Sequence, residues 1–197
     1  PPLPGNCPVH ESLGLLLRNT CSFCAACSDI DNFKPYNCGV GYRRGDDVIH
    51  ALGRLCCEIT DQREDFVGHI GGDDFFIVFQ SADWEMRCWQ LCSLFADAIN
   101  SLMSPEERAH GGYMAENRRG ELGFQALPTL SIGAVRVGPG ECESHREVAA
   151  AAPAAKKKAK KKAANQYHGN LGESRGTARG AAGGGGNGKT TGQGGKT

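Results

Sequence analysis

Two short acidic segments stand where apolar runs of the sequence end or begin. Asp29 closes the small apolar run of residues 21–30, and Asp73 and Asp74 come directly before the apolar run of residues 75–79. A carboxylate at the end of a buried strand is costly unless a cation offsets its charge, and divalent cations are the usual partners. Neighbouring strands would bring these hard oxygen ligands together, and such ligands suit Mg²⁺ holding the phosphates of a nucleotide. The simpler alternative is ordinary solvated turn residues, since Asp and Gly fill most turns.

The segments that must position these acids alternate between strand and helix patterns. Residues 65–70 and 75–79 are apolar runs joined by two glycines and the two aspartates, which predicts a β-hairpin. Apolar periodicity further predicts helices at 10–19, 45–60, 83–103 and 148–163, a short helical turn from Ser104, strands at 21–30 and 127–137, and an exposed hairpin at 112–124. This alternation predicts an α/β domain whose sheet is flanked by helices.

Composition excludes several classes of protein. The chain has 197 residues, enough for one ordinary domain, and its 22 Lys and Arg balance 22 Asp and Glu. The net charge therefore gives no reason to expect a nucleic-acid or membrane partner. No apolar run approaches the roughly 20 residues that span a bilayer. The ten cysteines lie within apolar periodic segments, which favours reduced thiols and a cytoplasmic location.

The two ends of the sequence differ in character from its middle. The chain begins with PPLPGN and no methionine, so we expect it to be part of a longer protein. Residues 169–197 are rich in glycine and contain almost no apolar side chain. Such a segment cannot bury enough surface to offset the entropy of ordering. We therefore expect one domain at 1–168 and a disordered tail at 169–197.

Several motifs occur in a fixed order along the chain: LPGN from Leu3, DIDNFKPYN from Asp29, GDD from Gly45, HIGGDDF from His69 and LSIGAV from Leu130. Together they resemble the GGDEF family of diguanylate cyclases, and the resemblance covers residues 3 to about 168. It implies an α/β (α+β) fold related to nucleotidyl cyclases, with a largely antiparallel central sheet flanked by helices. It also implies a reaction that joins two GTP molecules into cyclic di-GMP and releases pyrophosphate, in bacterial second-messenger signalling.

The resemblance assigns metal-binding and catalytic roles. Asp29, Asp73 and the Ile30 carbonyl match the ligands of Mg²⁺ or Mn²⁺, and Asp73 and Asp74 match the catalytic acids of the motif. These side chains would hold the metal against the triphosphate and help to deprotonate the attacking 3′-hydroxyl. The resemblance also implies a homodimer, because each half-site holds one GTP.

It assigns substrate-binding roles as well. Asn37 and Asp46 match the residues that read guanine, whose edge carries N–H donors that a carboxylate accepts. Lys34 matches a phosphate contact, the backbone up to Phe33 would cradle the same group, and Lys160 matches the phosphate-contacting lysine of the last helix.

The sequence departs from the family pattern at several positions. Asp74 stands where the family usually has glutamate, and shortening by one methylene weakens its reach toward a metal. Ala164 replaces the arginine expected after the helix lysine. Gln62 replaces the arginine of the family's Arg-x-x-Asp product-inhibition site, although Asp65 is present. We therefore expect no intact inhibitory site.

Two hypotheses follow from this pattern. The first is an active diguanylate cyclase that works as a homodimer. The second is a degenerate domain that binds GTP and regulates an adjacent domain, such as a cyclic di-GMP phosphodiesterase. An upstream sensory or phosphodiesterase domain would be the natural partner in the full-length protein, with no nucleic acid and no membrane contact by this domain.

Overall fold

The central strand of the fold is β1 (Phe23–Asp31), whose small apolar side chains are buried on both faces up to its acidic end. The structure is a computed structural model that describes residues 3–116, 120–159 and 166–170. The other strands are β2 (Phe66–Gly71), β3 (Asp74–Phe79), β4 (Gly112–Glu116), β5 (Leu122–Ala126), β6 (Thr129–Val137) and β7 (Gln166–Asn170). The helices are α1 (Asn6–Arg18), α2 (Phe33–Val40), α3 (Tyr42–Glu58), α4 (Trp84–Leu102), α5 (Pro105–His110) and α6 (His145–Ala159).

Five strands form one sheet in the order β2-β3-β1-β6-β7. The three pairings β2–β3, β3–β1 and β1–β6 are antiparallel, and β6–β7 is parallel. β4 and β5 form a separate antiparallel hairpin. The expected α/β (α+β) fold with a largely antiparallel sheet flanked by helices is therefore confirmed.

The sheet divides the interior into two apolar layers. Even-numbered residues of β1, such as Cys24 and Ala26, pack with α3 and α4 in the larger layer. Odd-numbered residues, such as Ala25 and Cys27, pack with α1 and α6 in the smaller one. Because side chains alternate along a strand, Asp29 lies on the α6 side of the sheet. This alternation brings the acidic end of β1 toward the helix that carries the basic residues.

Helix α6 lies unusually close to the sheet at Gly133 of β6. A β-carbon at this position would overlap with the backbone nitrogen of Lys156. Gly133 therefore permits a backbone-to-backbone approach that any larger residue would prevent. This approach sets the height of α6 above the ends of β1 and β3.

Two elements were not predicted from the sequence. Pro35 and Gly39 interrupt any helical pattern in the segment that forms α2, and β7 contains little apolar sequence. The strand exists through its parallel pairing with β6, a non-local interaction. β7 crosses the expected domain boundary at residue 168, and residues 171–197 of the expected tail lie outside the described residues.

The cysteines and the lengths of the helices bear on two expectations drawn from composition, namely reduced thiols and the lack of a membrane span. All ten cysteines lie within the described ranges and are free thiols. Across those ranges, no helix combines the length and apolar character needed to cross a bilayer.

We predict that Gly133→Ala destabilises the domain by roughly 1–3 kcal/mol, the usual cost of overpacking. Thermal unfolding should show a melting temperature lowered by several degrees, since about 1 kcal/mol corresponds to roughly 2–4 °C at this size. Gly14→Ala is the control, because a β-carbon there meets only the flexible end of Arg18 at 3.4 Å. That helix substitution should be neutral or stabilising. Equal stability of the Gly133→Ala and wild-type proteins would show that α6 does not depend on the close approach.

Candidate active site

Three carboxylates meet where β1 ends and β3 begins. Ser28 pairs with Phe75 across the two strands, so the next positions, Asp29 and Asp74, lie side by side. Oxygen atoms of Asp29, Asp73 and Asp74 all lie within 4.8 Å of one another, and each side chain is partly buried. The sequence predicted that strand pairing would bring these acids together, and the structure places them so.

The turn between β2 and β3 fixes the direction of Asp73. Gly71 and Gly72 adopt φ angles of 144° and 59°, which favour glycine. The His69 ring stacks on Phe75 with centroids 4.4 Å apart, and its Nε2 lies 2.8 Å from the Gly72 carbonyl oxygen. These contacts restrain the short turn at both of its ends. The backbone that carries Asp73 is therefore constrained.

Among the side chains that the structure describes, Lys156 is the cation that contacts this cluster, and sequence reasoning missed it. Its Nζ lies 2.5 Å from Asp74 Oδ1 and 3.3 Å from Asp29 Oδ1. Burial disfavours the charged ammonium, but the interactions with Cys27 and Asp74 outweigh this cost, and the pKa of Lys156 is raised. The expected lysine, Lys160, lies outside the described residues. The motif ending at residue 165 pointed to Lys160 as a phosphate contact, and that assignment stays a prediction.

Asp73 and Asp31 are both partly buried, but they contact different parts of the structure. Burial raises the pKa of Asp73, and repulsion from Asp74 adds to the increase, although the Asp73 and Ile30 backbones and Lys156 partly offset it. Burial also raises the pKa of Asp31. Asp31 Oδ2 accepts hydrogen bonds from Ser131 at 2.5 Å and Thr129 at 3.3 Å. Asp31 is thus held by β6, and it is not part of the three-carboxylate cluster.

The cluster fits a divalent cation by the chemistry of its donors. Mg²⁺ and Mn²⁺ prefer carboxylate and carbonyl oxygens, and the three side chains supply such atoms within a small volume. The backbone of Ile30 hydrogen-bonds the Asp73 carboxylate. Ile30, whose carbonyl is an expected metal ligand, therefore lies directly beside the cluster. The Ile30 side chain is buried in the opposite apolar layer, only 2% exposed.

A second polar region lies at the junction of α2 and α3. Asn37 packs its side-chain oxygen against Gly45, where a β-carbon would overlap with it. Asn37 Oδ1 is buried and has no hydrogen-bond partner among the residues that the structure describes. Asp46 follows Gly45 and is exposed. The two residues expected to read guanine are therefore brought near each other, and Asn37 retains an unused acceptor.

The residues expected at the phosphate end begin α2. Asn32 precedes the helix in the left-handed conformation, with φ of 60°. Lys34 is exposed in the first turn, while Phe33 is buried in the larger apolar layer. A helix N-terminus offers backbone N–H groups and a favourable dipole to an anion. The arrangement suits a phosphate above the first turn, with Lys34 at its edge.

An ion pair fixes the beginning of α3. Arg44 donates to both oxygens of Glu107, at 2.9 and 2.8 Å, and lies over the Tyr36 ring at 5.7 Å from its centroid. The hydrogen bonds from Arg44 lower the pKa of Glu107 to about 2. Glu107 also completes a capping box with Ser104 at the start of α5. This bidentate contact positions the helical turn that carries Asp46.

A large cavity lies between α3 and β2. It has a volume of about 1110 Å³, and Ile49, His69, Phe75 and Gln62 are among its lining residues. None of the three clustered carboxylates lines it. The cavity borders the turn that presents Asp73, but the acidic chemistry lies beside it and not within it.

Asp65, the remaining acid of the expected inhibitory motif, is used by the protein itself. Its Oδ1 accepts from the Gln80 backbone, and its Oδ2 accepts from the Asp61 backbone and from Arg87, each at 2.9 Å. The Asp65 side chain is fully buried, whereas Gln62 is exposed in a turn. The carboxylate therefore ties the α3–β2 loop to α4, a role that the motif comparison did not reveal.

We predict that Asp65→Asn destabilises the fold by roughly 2–4 kcal/mol, because an amide cannot replace a carboxylate that accepts from three donors, one of them charged. Chemical denaturation should show this loss directly. Gln62→Ala, in the same loop but exposed, should change the free energy of unfolding by less than about 0.5 kcal/mol. A similar small change for both variants would contradict a structural role for Asp65.

Comparison with known proteins identifies the family. Residues 11–166 match the family model described as "Diguanylate cyclase, GGDEF domain". The chain belongs to the GGDEF domain family. A diguanylate cyclase of Vibrio cholerae serotype O1 is 37% identical over 57 residues, which are 29% of this chain and 17% of that protein. The match thus spans well under two thirds of this relative's length.

Solved structures share the fold. The GGDEF domain of YfiN (TpbB) from Pseudomonas aeruginosa has a TM-score of 0.62 at 17% identity, covering 86% of this chain and 97% of that one. The GGDEF domain of DgcB from Caulobacter crescentus, solved in complex with c-di-GMP, also has a TM-score of 0.62, at 22% identity, covering 85% and 88%. At these identities the likeness establishes the fold alone.

Proposed function

We propose that this domain is a diguanylate cyclase that condenses two GTP molecules into cyclic di-GMP and releases pyrophosphate. The observation that carries the proposal is the meeting of Asp29, Asp73 and Asp74 within 4.8 Å, beside the N-terminus of α2. Phosphoryl transfer depends on positioning and on neutralising phosphate charge, and this arrangement supplies ligands for a cation next to an anion-binding helix end. Membership of the GGDEF family supports the same assignment.

Each residue has a role in this reaction. Asp29 and Asp73, with the Ile30 carbonyl, hold Mg²⁺ or Mn²⁺, which when bound offsets the negative charge of the triphosphate. The 3′-hydroxyl oxygen of one GTP attacks the α-phosphorus of the other, and the bond from that phosphorus to pyrophosphate breaks. Asp73 accepts the hydroxyl proton as the general base. Asp74 adds negative charge to the cluster and orients the neighbouring cation.

The nucleotide is held at both ends. Lys34 and the backbone at Phe33 receive the phosphates at the start of α2, while Lys160 would add a further contact from the last helix. Asn37 and Asp46 bind the edge of guanine, and the buried, unused oxygen of Asn37 supports this assignment. Two domains must face each other, because each supplies one GTP and both phosphodiester bonds are needed for the product. A cytoplasmic homodimer driven by a neighbouring sensory domain meets this need.

A second function is favoured by the contact between Lys156 and Asp74. If Lys156 remains on the shorter Asp74 side chain, the domain binds GTP without turnover and regulates an adjacent domain, such as a cyclic di-GMP phosphodiesterase. The two functions differ in one observable, the formation of product by a domain that binds GTP.

We predict that the purified protein forms cyclic di-GMP from GTP and Mg²⁺, and that Asp73→Asn lowers turnover by about 100-fold or more, the usual effect of losing an acid–base group. Product is measured by chromatography and mass spectrometry. Asp47→Asn is the matched control, since Asp47 is exposed on the outer turn of α3 and should retain wild-type turnover. Binding of GTP without product would establish the regulatory function in place of the enzyme. Full turnover by Asp73→Asn would refute the catalytic assignment.

We also predict a preference for guanine. GTP should bind at least about tenfold more tightly than ATP in the presence of Mg²⁺, because groups built to pair with guanine are left unmatched by adenine. Asp46→Asn should remove most of this preference, and Asp47→Asn should leave it intact. Isothermal titration calorimetry measures all of these affinities. Equal affinity of the wild-type protein for both nucleotides would exclude the assigned guanine site.

A further inference from the structure

Lys156 lies between Asp29, an expected metal ligand, and Asp74, a second acid of the same cluster. Its Nζ contacts oxygens on both β1 and β3, at Asp29 and Asp74. The side chains of Lys156 and Asp29 are only 14% and 13% exposed, and that of Asp74 is 41% exposed. This is a partly buried ion pair, and its ammonium and a divalent cation would compete for the Asp29 carboxylate.

The packing of the backbone around Lys156 fixes the point from which its side chain extends. Helix α6 approaches β6 so closely at Gly133 that the Lys156 backbone nitrogen rests against the strand. The lysine stem therefore starts from a fixed point beside the sheet and reaches across Cys27 toward the strand ends. A surface lysine on a loosely packed helix would not be held in this way. The contact depends on the packing of α6 and not on the chance direction of a flexible side chain.

We propose that Lys156 is an internal competitor of the divalent cation and couples metal binding to nucleotide binding. To bind a metal beside Asp73, Asp29 must exchange the Lys156 ammonium for the cation, and this also weakens the contact of Lys156 with Asp74. Metal alone gains little from this exchange, because the displaced ammonium loses its anionic partners in a partly desolvated site. A nucleotide changes the balance, because its phosphates offer Lys156 new anionic partners a short distance away.

The consequence is a cooperative site. Metal should bind weakly without nucleotide and more tightly with it, and by linkage the nucleotide should show the same dependence on metal. The competition itself requires only the carboxylates and Lys156. Its coupling to GTP rests on the proposed function. The two parts can therefore be tested separately.

The experiment titrates the intact protein with Mn²⁺ alone and follows free Mn²⁺ by electron paramagnetic resonance. Lys156→Met keeps the length of the side chain and removes its charge, and Lys156→Arg keeps the charge. Arg136→Met is the matched control, since it removes one positive charge from an exposed position near the far end of β6. We expect Lys156→Met to bind Mn²⁺ about tenfold more tightly than wild type, while Lys156→Arg and Arg136→Met stay within about threefold of wild type.

Circular dichroism and thermal unfolding establish that each variant is folded. A purely structural role for Lys156 predicts the opposite result, because a damaged site would bind Mn²⁺ more weakly. Unchanged or weaker Mn²⁺ binding by folded Lys156→Met would overturn the inference, as would equal tightening in Arg136→Met, which would reflect net charge alone. Failure of both wild type and Lys156→Met to bind Mn²⁺ would also overturn it.

A second titration adds GTP. The wild-type protein should gain more Mn²⁺ affinity from GTP than Lys156→Met gains, because only the wild type has an ammonium to relocate. An equal gain in both proteins would refute the coupling. If GTP binds to neither protein, the proposed function fails, whereas the competition seen with Mn²⁺ alone still stands or falls on its own result.

Discussion

The structure depends on one electrostatic constraint, the concentration of three carboxylates at the ends of two paired strands. Asp29, Asp73 and Asp74 converge because β1 and β3 are antiparallel neighbours whose pairing extends to Ser28 and Phe75. Burial raises the pKa of Asp73, and repulsion from Asp74 adds to the increase. The Lys156 ammonium lies between Asp29 and Asp74 and offsets part of their charge.

Helices on both faces of the sheet position the polar groups around the three carboxylates. On one face, Gly133 lets α6 approach closely enough for its lysine to reach the strand ends. On the other, α2 and α3 meet at Asn37 and Gly45, and the Arg44–Glu107 pair anchors the start of α3 to α5. The acidic cluster and the polar α2–α3 junction thus belong to separate elements that β1 and its following turn connect. This separation suits a ligand with a charged end and a base at the other.

Local patterns predicted most of the fold but not the contacts that decide the chemistry. The alternation of apolar runs, the Gly–Gly–Asp–Asp turn and the serine cap of α5 each depend on neighbouring residues, so the strands, the hairpin and the capping box could be predicted. β7 could not, because it is held by pairing with β6 and not by its own apolar content. The Lys156 contact depends on where α6 sits above Gly133, which no short motif encodes. Asp65 was recognised as part of a motif, whereas its burial against Arg87 is a tertiary property.

The most direct test of this account is the position of a bound cation. Crystals grown with Mn²⁺ and a non-reactive GTP analogue would locate the metal by its anomalous scattering. We expect a peak about 2.0–2.3 Å from oxygens of both Asp29 and Asp73, with the Lys156 ammonium moved from Asp29 to a phosphate oxygen. A metal bound at any other group, or a metal at these aspartates with Lys156 still bridging Asp29 and Asp74, would contradict it.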